Sequence, residues 1–572
     1  MDNKEIAQIL QEIAELMELK GDNPFKIRAY YNGARIVEGL SQDVAQIVKE
    51  GTLRDIKGIG EGLAFTITEL VKTGKCKAHQ KLKKSMPEGI LNILTIPGLG
   101  AKRAKLLYDK LGVKSIAELE EACQNNRLSE LDKFGEKSQA NILEAIKHLS
   151  KSAGSFLFSE AYEESLSYVQ YLKKIKDIIR IKTAGSLRRR NEIVHDVDIL
   201  VSTNHSKRIH DQFCSYSKIA NVLAKGDTKS SVVLKSGLQV DLRTVTDKEF
   251  PYALYYFTGS KEHNVATRTI AKRMGLKISE YGIFKGKKLI SCKDETDIFK
   301  TLKLSYVPPE IRENGGEIEA AFKNEIPNLV EEKDIKGIFH VHSTYSDGTA
   351  SLEAMIRQAE KLGYEYVGIS DHSKTAVYAN GLSLERLKKQ QKELDQLEKK
   401  YRKIRIFRGI ESDILSDGSL DYPEKILKSF DFVVGSIHSR FKMSEDEMTK
   451  RIARAMGNPS MTIWGHPTGR LLLSRNGYSV NFEVLFEKAK KHHVTVEINA
   501  HPSRLDLDWR LCRSAQKKGI RFSINPDAHS EAGLSDVKFG VGIARKGWLT
   551  KRDIINTMSV SEMEQFLKSR KS

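Results

Sequence analysis

The chain has 572 residues, too many for a single hydrophobic core, so roughly three to five domains are expected. Lysine and arginine outnumber aspartate and glutamate by 94 to 75, which gives a net charge of +19. This basic excess favours a nucleic-acid partner over a membrane, and over the alternative that the charge only keeps the protein soluble. The five cysteines form no Cys-x-x-Cys pair and no apolar run approaches the roughly 18 residues of a membrane span, so neither a thiolate zinc site nor a membrane protein is indicated, and a cytoplasmic protein is expected.

Residues 1 to about 150 are predicted to be helical, because apolar side chains recur every three or four positions. Two glycine-containing segments, residues 56–60 and 96–100, each precede such a helix. A glycine turn at a helix N-terminus can present backbone N–H groups to a DNA phosphate without reading the base sequence. The residues predicted to bind DNA in this way are Gly58, Gly60, Gly98, Gly100, Lys102 and Arg103.

Short β-rich runs replace the helical pattern between residues 180 and 260. Side chains alternate between the faces of a strand, so Asp196 and Asp198 should point the same way, and Asp241 lies in a second such run. Three carboxylates around two Mg²⁺ or Mn²⁺ ions suit in-line phosphoryl transfer. An isolated Asp-x-Asp is more often a strand edge. Here, however, Gly185 and Ser186 precede it and could donate hydrogen bonds to a triphosphate.

These motifs, together with the Tyr-Phe-Thr-Gly-Ser segment at residues 256–260, resemble a family X DNA polymerase of the nucleotidyltransferase superfamily. The resemblance covers residues 1 to about 315 and implies a gap-filling polymerase. It places Tyr256 and Phe257 against the sugar of the incoming nucleotide. The full set of nucleotide-binding residues that it implies is Gly185, Ser186, Arg189, Tyr256, Phe257, Gly259, Asn264 and Arg268.

Two positions depart from this family. Its deoxyribose-phosphate lyase uses a lysine in the helix after the first hairpin, where this chain has Thr66, and a hydroxyl cannot form the imine. Lys57 or Lys72 would have to substitute. Gln239 stands where animal members have an arginine beside the third aspartate, which leaves open how Asp241 is tuned.

Beyond residue 335, short apolar runs alternate with amphipathic helices, which indicates βα units. Histidines and acids stand at or just after successive apolar runs, a position that is the C-terminal rim of a barrel. One such histidine is usually a packing residue, but nine ligands in series indicate a polynuclear metal site. The nine are His340, His342, Asp347, His372, Glu411, His438, His466, Asp527 and His529.

The order of these ligands is similar to that of the polymerase-and-histidinol-phosphatase (PHP) domain. That resemblance implies a distorted α/β barrel with two to three Mn²⁺ or Zn²⁺ ions, and His342 and Glu411 as catalytic residues. The three metals that it implies are held by His340, His342, Glu411 and Asp527; by His438, His466 and the shared Glu411; and by Asp347, His372 and His529. Arg440 and Arg470 are either phosphate ligands or surface ion pairs, and Glu497 and Asn499 either support the site or are satisfied core residues.

The sequence therefore predicts a multidomain protein of α+β and α/β class. The predicted domains are a helical DNA-binding domain at residues 1–90, a second helix-hairpin-helix domain at 91–150, a nucleotidyltransferase palm with a mixed sheet at 151–260, a nucleotide- and template-contacting subdomain at 261–315, a linker at 316–334 and a TIM-like PHP barrel at 335–572.

The predicted function is gap filling by a DNA-directed DNA polymerase in base excision repair. The barrel would add a 3′→5′ exonuclease, 3′-phosphodiesterase or abasic-site endonuclease activity. Gapped or nicked DNA and deoxynucleoside triphosphates are the expected partners of a monomeric enzyme. Three alternatives stay open: a nuclease whose polymerase half only binds DNA, a non-catalytic DNA-binding scaffold, and a small-molecule phosphoesterase.

Overall fold

The structure is a computed structural model that describes residues 1–570, apart from residues 2, 39, 41, 57, 88, 95, 97, 98, 133 and 153. Residue 4 and residues 147–152 are described by their backbone alone. In the described part of the chain, no helix is both long enough and apolar enough to cross a membrane.

The described residues of the N-terminal region form helices joined by turns and contain no strand. Its helices are α1 (Asn3–Lys20), α2 (Pro24–Glu38), α3 (Val44–Glu50), α4 (Glu61–Thr73), α5 (Lys77–Lys84), α6 (Ile90–Leu94), α7 (Ala101–Leu111), α8 (Ile116–Gln124) and α9 (Glu136–Ser152). They pack around two apolar cores, and α1 contributes to both, with Ile6 and Leu10 in one and Leu16 and Leu19 in the other. The helical period predicted for this region is therefore the period of its core contacts.

The middle region combines a mixed five-stranded sheet with flanking helices. Its elements are β1 (Phe156–Leu157), α10 (Phe158–Leu172), β2 (Arg180–Thr183), α11 (Gly185–Arg188), β3 (Ile193–Val194), β4 (Asp196–Ser202), α12 (Ser206–Phe213), β5 (Ile219–Lys225), β6 (Lys229–Leu234), β7 (Gln239–Val245) and α13 (Phe250–Thr258). The strand order is β2-β4-β7-β6-β5. Only β4 and β7 pair in parallel, which sets their N-terminal ends side by side.

A small antiparallel sheet follows, with helices on either side in sequence. Its elements are α14 (Lys261–Arg273), β8 (Leu276–Ser279), β9 (Gly282–Lys285), β10 (Lys288–Ile290), α15 (Glu295–Thr301) and α16 (Glu317–Lys323). The segment predicted as a linker thus contains α16. It also packs on the barrel, because Val330 is fully buried and its N–H donates to Leu549 O at 3.0 Å.

The C-terminal region is a barrel of seven parallel strands whose spatial order is their chain order. Its elements are β11 (Gly337–Val341), α17 (Leu352–Lys361), β12 (Tyr366–Ile369), α18 (Leu384–Lys400), β13 (Arg405–Asp413), α19 (Glu424–Leu427), β14 (Phe432–Ser436), α20 (Glu445–Met456), β15 (Ile463–Trp464), α21 (Phe482–Lys491), β16 (Thr495–Asn499), α22 (Trp509–Lys517), β17 (Phe522–Asn525), α23 (Val537–Lys546) and α24 (Val560–Ser569). A parallel bridge between Val341 and Ala528 brings the first and last strands together. The predicted fold class is confirmed: helices, then a mixed sheet, then a near-closed α/β barrel.

The middle region and the barrel share one continuous apolar core. The ring of Phe158 meets that of Phe539 edge-on, with centroids 5.9 Å apart. Glu192, buried at this joint, accepts hydrogen bonds from Trp509, Arg470 and Arg510 of the barrel. The two units are therefore held together by apolar packing and by a buried acid.

Candidate functional sites

The three carboxylates of the middle region come together because of the strand register. Parallel pairing of β4 with β7 sets Asp198 directly opposite Asp241, and Asp196 lies two residues earlier on the same face. Burial, and then the Asp196 and Asp241 carboxylates, raise the pKa of Asp198 to about 7. Because the two neighbouring acids disfavour the charged form of Asp198, a bound cation would stabilise this site.

Asp241 has two polar neighbours, of which the sequence pattern indicated Gln239 but not Lys229. Lys229 Nζ lies 2.6 Å from Asp241 Oδ2, and Gln239 Nε2 donates to Oδ1 at 3.0 Å. Burial raises the pKa of Asp241, but the hydrogen bonds from Lys229 and Gln239 outweigh it and leave the pKa lowered. Lys229, and after it the Gln239 amide at the position where animal members of the family have an arginine, therefore favour the charged form of the third carboxylate.

Gly185 is required by its contact with the carboxylate site. It opens α11 with φ +60°, and a Cβ built on it would collide with Asp198 Oδ2. The first turn of α11, which includes Ser186, therefore lies against the metal-binding candidates. A side chain at position 185 would push the two apart.

The arginines that follow Gly185 are held by acids of other segments. Arg188 forms a bidentate pair with Glu295 at 3.0 and 2.5 Å, and Glu295 also pairs with the fully buried Arg312. Arg189, predicted to contact a triphosphate, donates to Glu313 at 3.0 Å and to Thr258 O at 2.5 Å. A triphosphate would have to draw Arg189 away from Glu313.

The other predicted nucleotide-binding residues lie at the end of α13 and the start of α14. Tyr256 and Phe257 are half-buried with their rings edge-to-face at 5.3 Å, and Gly259 follows them with φ +69°. Asn264 Nδ2 donates to Tyr256 O at 2.7 Å, and Arg268 Nε donates to Asn264 O at 3.3 Å. The structure thus joins these residues in one contiguous patch.

Both predicted hairpins lead into helix N-termini. Gly60 is the residue before α4, and Gly100 is the residue before α7. Gly58 adopts φ +98°, as a tight turn requires, whereas Gly98 lies outside the described residues. Lys102 is exposed and Arg103 stacks on Phe134 at 5.3 Å, so these two cations differ in their freedom to meet a phosphate.

Thr66, at the position of the family's lyase lysine, is buried. Its hydroxyl donates to Gly62 O at 3.0 Å and lies 3.1 Å from the Tyr30 hydroxyl. Lys72 is exposed on the same helix, and Lys57 lies outside the described residues. The side chain at position 66 therefore completes a hydrogen-bond network and offers no nucleophilic amine.

The barrel brings all nine predicted ligands to one rim. Its ligand atoms lie within 4.8 Å of one another in four overlapping groups: His342, Asp347, His372 and His529; His340, His466 and Asp527; His340, His342 and Glu411; and His372, Glu411 and His438. Glu411 is central, with Oε1 3.1 Å from His466 Nε2 and Oε2 2.8 Å from His372 Nδ1. The grouping differs from that implied by the resemblance, because His342 also joins the set around Asp347.

Buried ligand atoms without hydrogen-bond partners fit bound metal ions. His342 is fully buried, yet neither of its ring nitrogens makes a hydrogen bond within the described residues, and the same holds for His340 Nε2. Glu411 Oε2, although 2.8 Å from His372 Nδ1, does not meet it with the geometry of a hydrogen bond. Unpaired buried polar atoms are costly, so a cation at this rim would satisfy them. Burial, then His529 and His372, lowers the pKa of His342 to about 3, which keeps the imidazole neutral as ligation requires.

A second layer of polar residues orients these ligands. Glu497 Oε1 lies 2.7 Å from His340 Nδ1, and Glu497 Oε2 accepts the backbone N–H of His466 at 2.7 Å. Asn499 Nδ2 donates to both Glu497 at 3.1 Å and Asp527 at 3.0 Å. Both residues thus touch ligands directly, which favours the supporting role over core satisfaction.

One ligand group has a strained backbone. His340, His466 and Asp527 adopt φ values of +59°, +24° and +51°, a region that residues with a Cβ seldom occupy. Such strain persists where the surrounding structure enforces it, and it is typical of functional sites.

The arginines near the barrel rim differ from one another. Arg470 has a structural role, because its guanidinium forms ion pairs with Asp508 at 2.6 Å and with Glu192 at 3.4 Å. Arg440 is exposed, with φ +58°. Sequence reasoning missed Arg504, whose Nε lies 3.4 Å from Asp527 Oδ2. Of the three arginines, Arg504 is the one shown beside a predicted ligand.

Family models match four stretches of the chain. A Helix-hairpin-helix domain matches residues 1–76 and a SAM-like Helix-hairpin-helix tandem matches residues 90–148. The DNA polymerase beta thumb matches residues 253–313, and the PHP domain matches residues 339–501.

Similar proteins cover both the whole chain and its parts. The protein named DNA polymerase/3′-5′ exonuclease PolX of Bacillus subtilis (strain 168) is 40% identical over 572 residues, covering 99% of this chain and 100% of the relative. Repair DNA polymerase X of African swine fever virus is 29% identical over 27% of this chain and 89% of its own length. A protein of Thermoanaerobacter sp. (strain X514) described as a probable phosphatase is 27% identical over 41% of this chain and 94% of its own length.

Proposed function

Because this chain belongs to the family X DNA polymerases that carry a PHP domain, we propose that it fills short gaps in DNA during repair and trims 3′ ends with its barrel. Its substrates are DNA and deoxynucleoside triphosphates. The polymerase activity belongs to the middle region, and the 3′→5′ exonuclease activity belongs to the C-terminal barrel.

The register that sets Asp198 opposite Asp241 carries the polymerase assignment. With Asp196, these acids would hold Mg²⁺ or Mn²⁺, which supplies charge stabilisation to in-line phosphoryl transfer. Gly185 and Ser186 would place backbone and hydroxyl donors beside the triphosphate. Tyr256 and Phe257 would bear on the sugar, with Asn264 and Arg268 beside the base and the template.

The nine-ligand rim, with its unpaired ring nitrogens, carries the hydrolase assignment. Imidazole and carboxylate ligands suit two or three Mn²⁺ or Zn²⁺ ions, which polarise a phosphoester towards attack by water. Glu497 and Asn499 would hold the ligands in place. Arg504, beside Asp527, is a cation that could bind the scissile phosphate.

Gly58, Gly60, Gly98 and Gly100 would present backbone N–H groups to the phosphates of gapped or nicked DNA. Lys102 would add charge at the second hairpin. Binding through phosphates would be independent of sequence and would weaken as salt rises.

A gapped DNA with a blocked 3′ end tests both activities in one reaction with Mn²⁺ and deoxynucleotides. Wild type should remove the block and then extend the primer. Asp198→Ala should trim without extending. His342→Ala should leave blocked ends untouched but extend an unblocked primer. Loss of both activities in either variant would contradict two separate sites.

The barrel's likeness to a protein described as a probable phosphatase gives a second candidate, a small-molecule phosphoesterase. Hydrolysis of a free phosphomonoester far above that of DNA would favour it. Metal analysis separates these two candidate enzymes from a non-catalytic scaffold. Only an enzyme with this rim should purify with about two or three divalent ions per chain.

A further inference from the structure

A short turn beside the metal-ligand rim exposes two apolar side chains. Val377 is 82% exposed and Tyr378 is 68% exposed, whereas their neighbours Ala376 and Ala379 are buried. Single exposed apolar side chains are common on protein surfaces, so it is the position of this pair beside the rim that singles it out. We call residues 375–381, which follow the ligand His372, the Tyr378 turn.

The Tyr378 turn is rigidly held. Thr375 N–H donates to Asp421 at 2.8 Å and Thr375 Oγ1 donates to Asp413 at 2.9 Å. At its other end, Arg386 donates to Asn380 O at 2.7 Å, and Gly381 N–H donates to Ala376 O at 3.0 Å. The ring of Tyr378 is therefore presented to solvent by a fixed backbone, and a ligand that binds it would order little of the chain.

The ring of Tyr378 lies next to two ligands of the rim. Its centroid is 6.0 Å from that of His372 and 6.1 Å from that of His438, at 63° to each ring plane. Both histidines belong to the ligand group that includes Glu411. One edge of the tyrosine ring thus borders the metal site, and much of the ring is open to solvent.

We propose that Tyr378 forms a binding subsite for the nucleobase at the 3′ end of DNA. The inference rests on the proposed exonuclease function, and it names the part of the substrate that the rim itself does not recognise. When the terminal phosphodiester lies at the ligands, the attached base is one sugar away, within reach of an adjacent ring. Every base has a π-face, so stacking on Tyr378 would hold the end without sequence preference.

The chemistry of the turn favours a base over a phosphate or a sugar. Val377 and Tyr378 offer apolar surface, whereas the nearby charge is supplied separately by Arg504. Among the described residues, the Tyr378 hydroxyl makes no hydrogen bond, so both the ring face and the hydroxyl are open to a ligand, and Tyr378→Phe separates the two.

Exonuclease kinetics on two oligonucleotides test the proposal. One is an ordinary single strand, and the other is identical except for an abasic residue at its 3′ end. On the ordinary strand, Tyr378→Ala should lower kcat/KM about tenfold or more, mainly through KM, and Tyr378→Phe should retain wild-type activity. On the strand with the abasic 3′ end, kcat/KM of wild type should fall to the value that Tyr378→Ala has on the ordinary strand. The kcat/KM of Tyr378→Ala should be the same on both strands.

Phe322→Ala removes an equally exposed ring, 68%, from α16 and should leave both rates unchanged. Equal losses by Tyr378→Ala on the two strands would indicate a structural role and overturn the proposal, as would no loss on either. Failure of the proposed function has a different signature: wild type would not degrade DNA, or His342→Ala would degrade it as fast.

Discussion

Glu192 Oε2 accepts a hydrogen bond of 3.1 Å from Trp509 Nε1, across the joint between the middle region and the barrel. The other carboxylate oxygen faces Arg470 and Arg510, each at 3.4 Å. A single buried acid thus serves three donors of another unit, and Arg470 in turn donates to Arg504 O beside the metal-ligand rim. Weakening this joint should therefore affect both the middle region and the barrel.

Removing the acid should weaken the joint. Glu192→Ala leaves Trp509 Nε1 without its acceptor and takes one carboxylate from Arg470, which keeps Asp508 and Leu505 O, and losses of this kind cost roughly 1–3 kcal/mol. We expect the midpoint of thermal unfolding to fall by about 4 °C or more in calorimetry. The exposed Glu319 of α16 is the control, since Glu319→Ala should move the midpoint by less than about 1 °C. Equal midpoints for the two variants would show that the joint does not depend on Glu192.

The requirement for glycine at position 185 can be tested by one methyl group. Gly185→Ala should shift Asp198 and strain the positive φ, so primer extension should fall about a hundredfold. The exonuclease activity should persist, because the barrel ligands are elsewhere. Gly135→Ala, at a glycine with open space around it, controls for the substitution itself. Extension at the wild-type rate in Gly185→Ala would refute the contact.

Glu497 should govern metal affinity without being a ligand. Glu497→Gln keeps the size of the side chain but weakens its bonds to His340 and to His466 N–H. We expect metal binding at the rim to weaken by about 10- to 100-fold in titration calorimetry. Glu487→Gln, an exposed pair with Lys518, should bind metal like wild type. Unchanged affinity in Glu497→Gln would reduce Glu497 to a packing residue.

The charge on Glu295 should make the stability of the fold depend on pH. Burial raises its pKa, but Arg312 and Arg188 outweigh burial and lower the pKa to about 2. A lowered pKa stabilises the fold above the unfolded value of about 4.5, and this contribution is lost as pH falls from about 4.5 towards 2. Glu295→Gln should therefore lose roughly 2–4 kcal/mol at pH 7.

The difference between wild type and Glu295→Gln should shrink in denaturant titrations as pH falls from 4.5 towards 2. A difference that stays constant over that range would contradict a charged Glu295 as the cause. Glu385→Gln, an exposed helix pair with Lys389, is the matched control at both pH values.

Sequence periodicity predicted what depends on local patterns. Alternation along a strand placed Asp196 and Asp198 on one face, and the position of histidines after apolar runs placed His340 to His529 on one rim. Contacts between distant segments left no such pattern. Lys229 reaches Asp241 through strand pairing, Arg470 reaches Glu192 across the joint, and Tyr378 meets His438 through a fold of the chain. Each depends on tertiary packing, which spacing alone does not encode.

The order of the barrel strands has a consequence for how the protein is made. The first strand, β11, carries His340, and the last, β17, leads to Asp527 and His529 and lies beside β11. A chain emerging from the ribosome therefore exposes its imidazoles long before the ring can close. Metal capture by the finished rim would follow synthesis of β17, so a translation product that stops before Phe522 would lack both the closing strand and the last ligands.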